Sequence, residues 1–476
     1  MSEGVSQYSG RRVVLVGASG FIGQALAQAL GDEFDVVALT RSPALAAAAP
    51  LGDKVQWQHC DLYDLEALTQ ALSGFDTAVY LVHSLRPSSR LTQAEPRDMD
   101  LVLADNFARA AKASGLGQIV YLSSLMPRSF RISSLLWSHR EVELALQSQG
   151  TPLTVLRAGL VVGPGGTATR LMVELVRRLG YLYLPPSARS VTYPIALRDL
   201  IRALRVVLQQ PQHWRGSYDL TGPDKLSFEQ LLRITATRLG LKRRFVRVPW
   251  LPERFMAWSI RWITGAPIAL AGQVIGSLPA DADLQPNALQ DRIAEGLLGF
   301  DAALEEALDG TTRRVKPGPR QAFEPQLKSG LRQASLVRSI QRIILPPGMD
   351  SAWVARNYWD WLGSCCGGLV KTQWDSDHCV EIGLRFPQLT LLKLCLDTQL
   401  STAERQIYRV KGGLLAGKGS GLPRFEFHCV LEGRYTMAAI HDFAPRLPWY
   451  VYIWTQAIAH LWVMRRYQSH LARLAR

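Results

Sequence analysis

The most constraining feature of the chain is a glycine-rich run, GASGFIG, at residues 17–23. The apolar residues Val13–Val16 before it predict a short buried strand, and Gln24–Leu30 after it predicts a helix. In this order, glycines permit a tight turn, let backbone N–H groups approach a pyrophosphate, and allow helix and strand to pack closely. The run therefore predicts a dinucleotide site formed by Gly17, Ser19, Gly20, Phe21, Ile22 and Gly23.

The length and composition of the chain favour a multidomain globular protein. At 476 residues it is too long for one ordinary hydrophobic core, which predicts two or three domains. Residues Met1–Gly10 are polar and do not resemble a signal peptide, and no uninterrupted apolar run approaches the roughly 20 residues of a membrane-spanning helix. These features predict a cytoplasmic protein.

The apolar segment at residues 449–464 has two interpretations. It is short, Gln456 and His460 interrupt it, and Arg465 and Arg466 follow at once. It predicts either a buried C-terminal helix or a helix on a membrane surface, because a body rich in Trp and Tyr with a basic flank suits the interface. The second interpretation makes the protein membrane-associated through this helix.

The net charge of +14 comes from arginine more than from lysine. Basic residues cluster at 313–320 in a predicted linker, and Arg332, Arg338 and Arg342 follow on a predicted helix. No nucleic-acid recognition motif accompanies these residues, so nucleic acid is not a predicted partner. Attraction to anionic phospholipid or to a phosphorylated cofactor explains the charge at least as well.

The cysteine spacing does not predict a metal site. No pair has the Cys-x-x-Cys spacing of a zinc site, and we expect reduced, buried thiols. The six cysteines are Cys60, Cys365, Cys366, Cys379, Cys395 and Cys429.

Strand-like and helix-like segments alternate along the first part of the chain. Repeated β–α units predict a Rossmann-type, doubly wound parallel sheet in a domain spanning residues 1–310. A looser pattern at about 165–300 predicts a small substrate subdomain. The predicted strands are residues 13–16, 35–40, 55–58, 77–82, 119–123 and 153–157.

The character of the chain changes after a basic, Pro/Gly-rich linker at residues 311–330. Several antiparallel strands and a closing helix predict an α+β domain at 331–476, in which the sheet wraps the helix. The predicted strands here are residues 381–386, 389–396, 406–410, 424–431 and 435–441, and the helix is 449–473.

Polar residues follow several of the predicted strands, at the edge where ligands of such sheets bind. Arg41 follows the second strand, where a basic residue pairs with a 2′-phosphate, so we predict NADP in preference to NAD; the alternative is a solvated loop arginine. Val82, His83 and Ser84 follow the fourth strand, and we expect backbone contact with the cofactor there. We interpret the His83 imidazole as structural rather than chemical.

In these motifs the chain resembles the NmrA-like, atypical short-chain dehydrogenase/reductases over roughly its first 300 residues. The glycine spacing is Gly-x-x-Gly-x-x-Gly, which is typical of that superfamily. The resemblance implies that Asp61 and Leu62 contact the adenine, that Ser123 lies at the cofactor, and that the Ser124 hydroxyl polarises a substrate carbonyl. Asp61 also suits a helix N-cap, and a serine here also suits a capping role. The motifs are GASGFIG, Thr40-Arg41, Cys60-Asp61-Leu62, Leu81-Val82-His83-Ser84, Tyr121-Leu122-Ser123-Ser124, Leu156-Arg157-Ala158-Gly159 and Pro194-Ile195-Ala196 with Asp199.

The C-terminal part resembles the extra domain of similarly long bacterial NAD(P)-binding proteins. The residues that carry this resemblance are Gly412–Leu415, Arg424–Phe427 and the closing helix. That domain is similar to the polyketide-cyclase/START-like helix-grip fold, which implies a cavity for an apolar ligand.

One departure from the family pattern bears on mechanism. Active reductases of this superfamily use Tyr-x-x-x-Lys, in which lysine lowers the tyrosine pKa for proton transfer. If Arg140 takes the lysine position, Leu136 takes the tyrosine position, and no phenol is available. His139 is then a candidate substitute acid, with a structural role as the alternative, and Arg140 a candidate ligand of ribose or phosphate. Two hypotheses follow: an oxidoreductase acting on an apolar carbonyl, enone or quinone-like substrate, and a non-catalytic NADP(H)-binding sensor, regulator or assembly factor.

Overall fold

The computed structural model divides the chain into two compact units. The first unit comprises Met1–Leu85 and Asn106–Leu327, and the second comprises Arg86–Asp105 and Lys328–Arg476. The structure describes residues 11–48, 54–84, 91–127, 134–250, 252, 259–263, 284–318, 336–365, 367–376, 378–417 and 422–475.

Strands and helices alternate through the described residues up to 318. The strands are β1 (Arg12–Val16), β2 (Asp35–Thr40), β3 (Gln56–His59), β4 (Thr77–Tyr80), β5 (Leu91–Gln93), β6 (Gln118–Ser124), β7 (Leu153–Ala158), β8 (Val161–Val162), β9 (Tyr181–Leu184), β10 (Val191–Thr192), β11 (Ile195–Ala196), β12 (Gly216–Leu220), β13 (Leu226–Ser227) and β14 (Arg244–Arg247). The helices are α1 (Phe21–Leu30), α2 (Pro43–Ala48), α3 (Leu65–Leu72), α4 (Pro96–Ala113), α5 (Ser134–Gln147), α6 (Thr167–Arg178), α7 (Leu197–Gln209), α8 (Phe228–Arg238), α9 (Ala288–Ile293) and α10 (Phe300–Ala307), with a 3-10 helix at Pro186–Arg189.

The first unit is built on a seven-stranded sheet in the order β12-β7-β6-β4-β1-β2-β3. Every neighbouring pair is parallel, so all seven strands end at one edge. The chain order reverses between β1 and β4, which is where doubly wound sheets bind ligands. The predicted fold class is confirmed.

An apolar cluster separate from the core of the parallel sheet holds together the smaller elements that follow β7. It includes Val173 of α6, Leu231 of α8 and Leu304 of α10, all buried. The chain at 311–318, which the sequence predicts as linker, is bonded to these elements. The Lys316 amide donates to the Ala307 carbonyl at 2.8 Å, and the Gly165 amide donates to the Lys316 carbonyl at 2.9 Å. Arg320 lies outside the described residues.

The second unit contains a sheet that is antiparallel except for the β15–β5 pair, with the helices α11 and α13 packed against one face. The sheet order is β16-β17-β18-β19-β20-β21-β15-β5, so the first strand of the C-terminal region, β15, pairs with its last, β21. This is the predicted α+β organisation. The elements are β15 (Val337–Ile344), α11 (Ser351–Cys365), β16 (Val370–Ser376), β17 (Cys379–Leu384), β18 (Leu389–Leu396), β19 (Arg405–Gly412), β20 (Arg424–Val430), β21 (Tyr435–Phe443), α12 (Trp449–Trp454) and α13 (Gln456–Leu474).

Aromatic rings pack between this sheet and its helices. Tyr358 of α11 lies with its ring centroid 4.9 Å from that of Tyr467 of α13 and 5.7 Å from that of Phe425 of β20. Phe425 and Phe427 are themselves 4.9 Å apart. Side chains therefore occupy this interior, where the resemblance to helix-grip folds implies a ligand cavity.

Two sequence-based expectations about this unit are wrong. Arg338 and Arg342 lie on strand β15, not on a helix. Residues four apart share one face of a helix and also one face of a strand, so their spacing does not distinguish the two structures. Arg332 lies outside the described residues. The closing helix is also divided, because Thr455 leaves the helical conformation with φ −122° and ψ −87°.

The expectation that all the cysteines are reduced is also wrong. Cys379 and Cys395 stand opposite each other on β17 and β18 and form a disulfide. Strand register, not sequence spacing, brings them together. Burial is the main cause that raises the pKa of the Cys60 thiol to about 12.

Among the described residues, no helix is both long and apolar enough to cross a membrane.

Candidate active site

The glycine turn has the geometry that a pyrophosphate requires. Gly17 has a φ of +89°, and a Cβ there would lie 2.9 Å from the Leu81 carbonyl carbon. A Cβ on Gly23 would lie 2.7 Å from the Ala18 Cα, so both glycines are required for close packing. Gly20 is the N-cap of α1 and gives no side-chain cap to the first-turn amides. These residues fit a bound dinucleotide.

The parallel sheet brings the predicted cofactor residues to one edge. Leu81, directly after β4, donates its amide to the Val16 carbonyl at the end of β1 (2.8 Å). Around this contact, each candidate follows or ends a parallel strand. They are Gly17–Gly23 after β1, Arg41 after β2, Asp61 and Leu62 after β3, Val82, His83 and Ser84 after β4, and Ser123 and Ser124 at the end of β6.

Asp61 and Leu62 stabilise the turn between β3 and α3. The Asp61 carboxylate accepts a hydrogen bond from the Tyr63 amide (3.1 Å), and the Leu62 carbonyl accepts one from the Asn106 side chain (3.2 Å). The N-cap of α3 is Asp64, whose carboxylate accepts from the Ala67 amide. The capping role considered for Asp61 therefore belongs to Asp64.

A histidine–tyrosine pair lies beside the end of β4. His139 Nδ1 and Tyr121 Oη share a hydrogen bond of 2.8 Å, and the His139 ring centroid lies 5.1 Å from that of His83. Sequence reasoning named both histidines but missed Tyr121. The available signal was register: Tyr121 and Ser123 share one face of β6, while His139 and Glu143 share one face of α5.

Glu143 collects the neighbouring donors. It accepts hydrogen bonds from Ser123 Oγ (2.8 Å), from Arg140 (2.8 Å) and from two nitrogens of Arg157 (2.8 and 3.1 Å). Burial on its own raises the pKa of Glu143, but these donors lower it below its ordinary value, so the carboxylate stays ionised. Ser123 and Arg140, predicted for cofactor and catalysis, are thus also held by Glu143.

The position at which the resemblance to short-chain reductases would place a tyrosine is an apolar core residue. Leu136 is buried on α5, so no phenol projects from this position. Ser124 is partly buried at the last residue of β6, opposite Ala158 of β7. Among the described residues, the rings of His83, His139 and Tyr121 lie close together at this edge, beside the Glu143 cluster.

A family comparison agrees with this geometry. Residues 17–177 match the NAD(P)H-binding family model, from the first glycine of the turn into the last turn of α6. The fold and this match together define an NAD(P)H-binding domain of Rossmann type, and the predicted cofactor class is confirmed.

Individual relatives are more distant. The auxiliary protein GraX of Staphylococcus aureus is 28% identical over 111 residues, which are 23% of this chain and 36% of the relative. The match thus spans about a third of that protein's length. A nucleoside-diphosphate-sugar epimerase structure from Staphylococcus aureus is similar with a TM-score of 0.50 and 18% identity, covering 62% of this chain and 100% of its own; this likeness is one of fold. An NADPH-bound quinone oxidoreductase from Escherichia coli has a TM-score of 0.48 and 21% identity, covering 62% and 98%.

Proposed function

We propose that the protein is an NADP(H)-dependent oxidoreductase that reduces an uncharged carbonyl or quinone-like compound, with His139 as the proton donor. The observation that carries the proposal is the hydrogen bond between His139 and Tyr121 beside His83. This pair belongs to the strand edge that carries the glycine turn. His139 is a titratable group on α5, the helix on which short-chain reductases carry their tyrosine.

The chemistry assigned to the chain is proton delivery. A bound nicotinamide nucleotide supplies the hydride to the substrate carbon. The hydrogen bond at Nδ1 orients the His139 ring, so that Nε2 is the atom that gives its proton to the reduced oxygen. A proton from solvent then restores the imidazolium, and Tyr121 keeps the ring in place throughout.

An uncharged substrate suits the charges around His139. Arg140 and Arg157 donate to Glu143, so their positive charges are balanced by this carboxylate and do not favour an anionic substrate. The aromatic packing within the second unit favours a substrate held by the first unit. The strand order of the second unit, with β15 beside β21, supports our proposal that this unit is helix-grip-like.

We expect His139→Gln to lower kcat for NADPH oxidation by roughly 100-fold or more, because a positioned acid contributes about that much. The dissociation constant for NADPH should stay unchanged in calorimetry. Tyr121→Phe should lower kcat by about tenfold, since one orienting hydrogen bond is lost. As a matched control, His213→Gln should have no effect. His213 is exposed and precedes β12, so it lies towards the amino ends of the parallel strands, away from the cofactor residues at their carboxyl ends.

The assay needs a panel of uncharged aldehydes, ketones, enones and quinones with NADPH. If the wild-type protein binds NADPH but reduces none of them, the oxidoreductase proposal fails and the sensor hypothesis replaces it. If His139→Gln retains the wild-type kcat on an active substrate, the assignment of the proton donor is wrong.

Arg41 supports the preference for NADP(H). It follows β2 directly and its side chain is exposed at the cofactor edge. We expect NADPH to bind more tightly than NADH, and Arg41→Ala to weaken NADPH binding by roughly tenfold or more through a lost charge-assisted contact. Calorimetry with both nucleotides checks this; equal affinities in the wild-type protein would contradict it.

A further inference from the structure

The closing helices expose a row of large apolar side chains. Tyr452, Met464 and Tyr467 are buried within the second unit. The other side of these helices exposes Trp454 at 76%, and Ile458 and Trp462, one helical turn apart, at 53% and 44%. Trp449 and Tyr450, at the start of α12, are also exposed.

A neighbouring loop adds to this row. The Gly417 amide donates to the Ala444 carbonyl (2.8 Å), and the Arg446 amide donates to the Leu415 carbonyl (3.1 Å). These bonds hold residues 413–417 beside the segment that leads into α12, and Leu414 and Leu447 are exposed there. We name the whole set the aromatic surface: Leu414, Leu447, Trp449, Tyr450, Trp454, Ile458 and Trp462.

The segment that carries most of the aromatic surface has charged side chains of one sign. After Asp442 the sequence contains no aspartate or glutamate, but it contains Arg446, Arg465, Arg466, Arg473 and Arg476. Arg465, Arg466 and Arg473 are exposed on α13, and the Arg466 guanidinium lies 5.1 Å from the centre of the Trp462 ring. An exposed apolar surface of this extent marks an interaction site, and its basic border selects an anionic partner.

We propose that the aromatic surface docks on an anionic phospholipid bilayer, with its tryptophans at headgroup depth and the arginines against lipid phosphates. Tryptophan and tyrosine favour this interface, and a basic flank adds attraction to anionic lipid. A second copy of the chain is the poorer occupant, because it would bring two acid-free, arginine-bearing segments together. The proposal is independent of the reductase chemistry.

The test is co-sedimentation of the full chain with phosphatidylcholine vesicles, with and without phosphatidylserine. We expect binding to the phosphatidylserine vesicles that is at least about tenfold stronger than to neutral ones and weaker at high salt. Trp454→Ser with Trp462→Ser should reduce this binding about tenfold or more. Arg465→Gln with Arg466→Gln should reduce it about fivefold per arginine.

The control is Trp374→Ser, which removes an exposed tryptophan from β16 of the same unit. Trp374 pairs with Val380, which in turn lies opposite Leu394 near the end of β18. The loop that carries Leu414 bonds to Thr390 and Leu391 at the other end of β18. Unchanged NADPH binding and thermal unfolding would show that each variant is folded. The proposal fails if the wild-type protein ignores phosphatidylserine vesicles, if both double variants bind like wild type, or if the tryptophan variant converts a dimer into a monomer.

Discussion

Replacing Gly20 with valine should abolish NADPH binding while the protein stays folded, whereas the same substitution at Gly23 should destabilise the first unit. Gly20 has an ordinary φ of −77°, and a Cβ there meets only the Gly17 carbonyl oxygen, at 3.2 Å. A side chain at this N-cap obstructs the approach of a pyrophosphate to the amides of α1. A Cβ at Gly23 instead meets backbone atoms of Ala18 and Gly17, both at 2.7 Å.

The two variants separate cofactor binding from folding. For Gly23→Val we expect a loss of about 3 kcal/mol or more, since rigid backbone on both sides prevents relaxation. Urea unfolding followed by circular dichroism measures this loss, and calorimetry measures NADPH affinity. Gly20→Val with wild-type affinity for NADPH would refute the pyrophosphate site at this turn.

The central strands of the parallel sheet were predictable because they are buried on both faces. Residues 35–40 form β2 with the predicted bounds, and 153–157 and 119–123 each fall within a strand. β12 was not predicted, since its residues Gly216–Leu220 are polar and partly exposed at the sheet edge. β5 was also not predicted, because it has three residues and is a strand only through its pairing with β15, which lies 246 positions later in the chain.

The candidate site was predictable only in part. Strand ends can be located from the sequence, and the residues that follow them share an edge in any parallel sheet. The contact between Tyr121 and His139 depends on the register of α5 against β6, which local sequence does not determine. The Cys379–Cys395 pair likewise depends on hairpin register.

The second unit contains a buried cluster of charged side chains on the face of β20 opposite its aromatic core. On β20, Arg424 and Glu426 point away from Phe425 and Phe427, as strand periodicity requires. Arg405 donates to Glu426 at 2.9 Å, and Arg424 donates to both Glu426 and Asp442. Burial on its own raises the pKa of Glu426, but the two arginines reverse this and hold the pKa well below its ordinary value.

Glu426→Gln should therefore destabilise the second unit by about 3–5 kcal/mol, because it removes the buried negative charge that Arg405 and Arg424 share. The effect should be the same at pH 7 and pH 5, since a carboxyl with a depressed folded pKa contributes stability above its unfolded pKa of about 4.3 and loses it only below that. Hydrogen exchange of β19–β21 peptides in urea measures the change. The control is Glu381→Gln, a surface partner of Lys393 with a side chain 37% exposed, which should cost less than about 1 kcal/mol. Equal effects of the two substitutions would show that the buried cluster contributes no more than a surface ion pair.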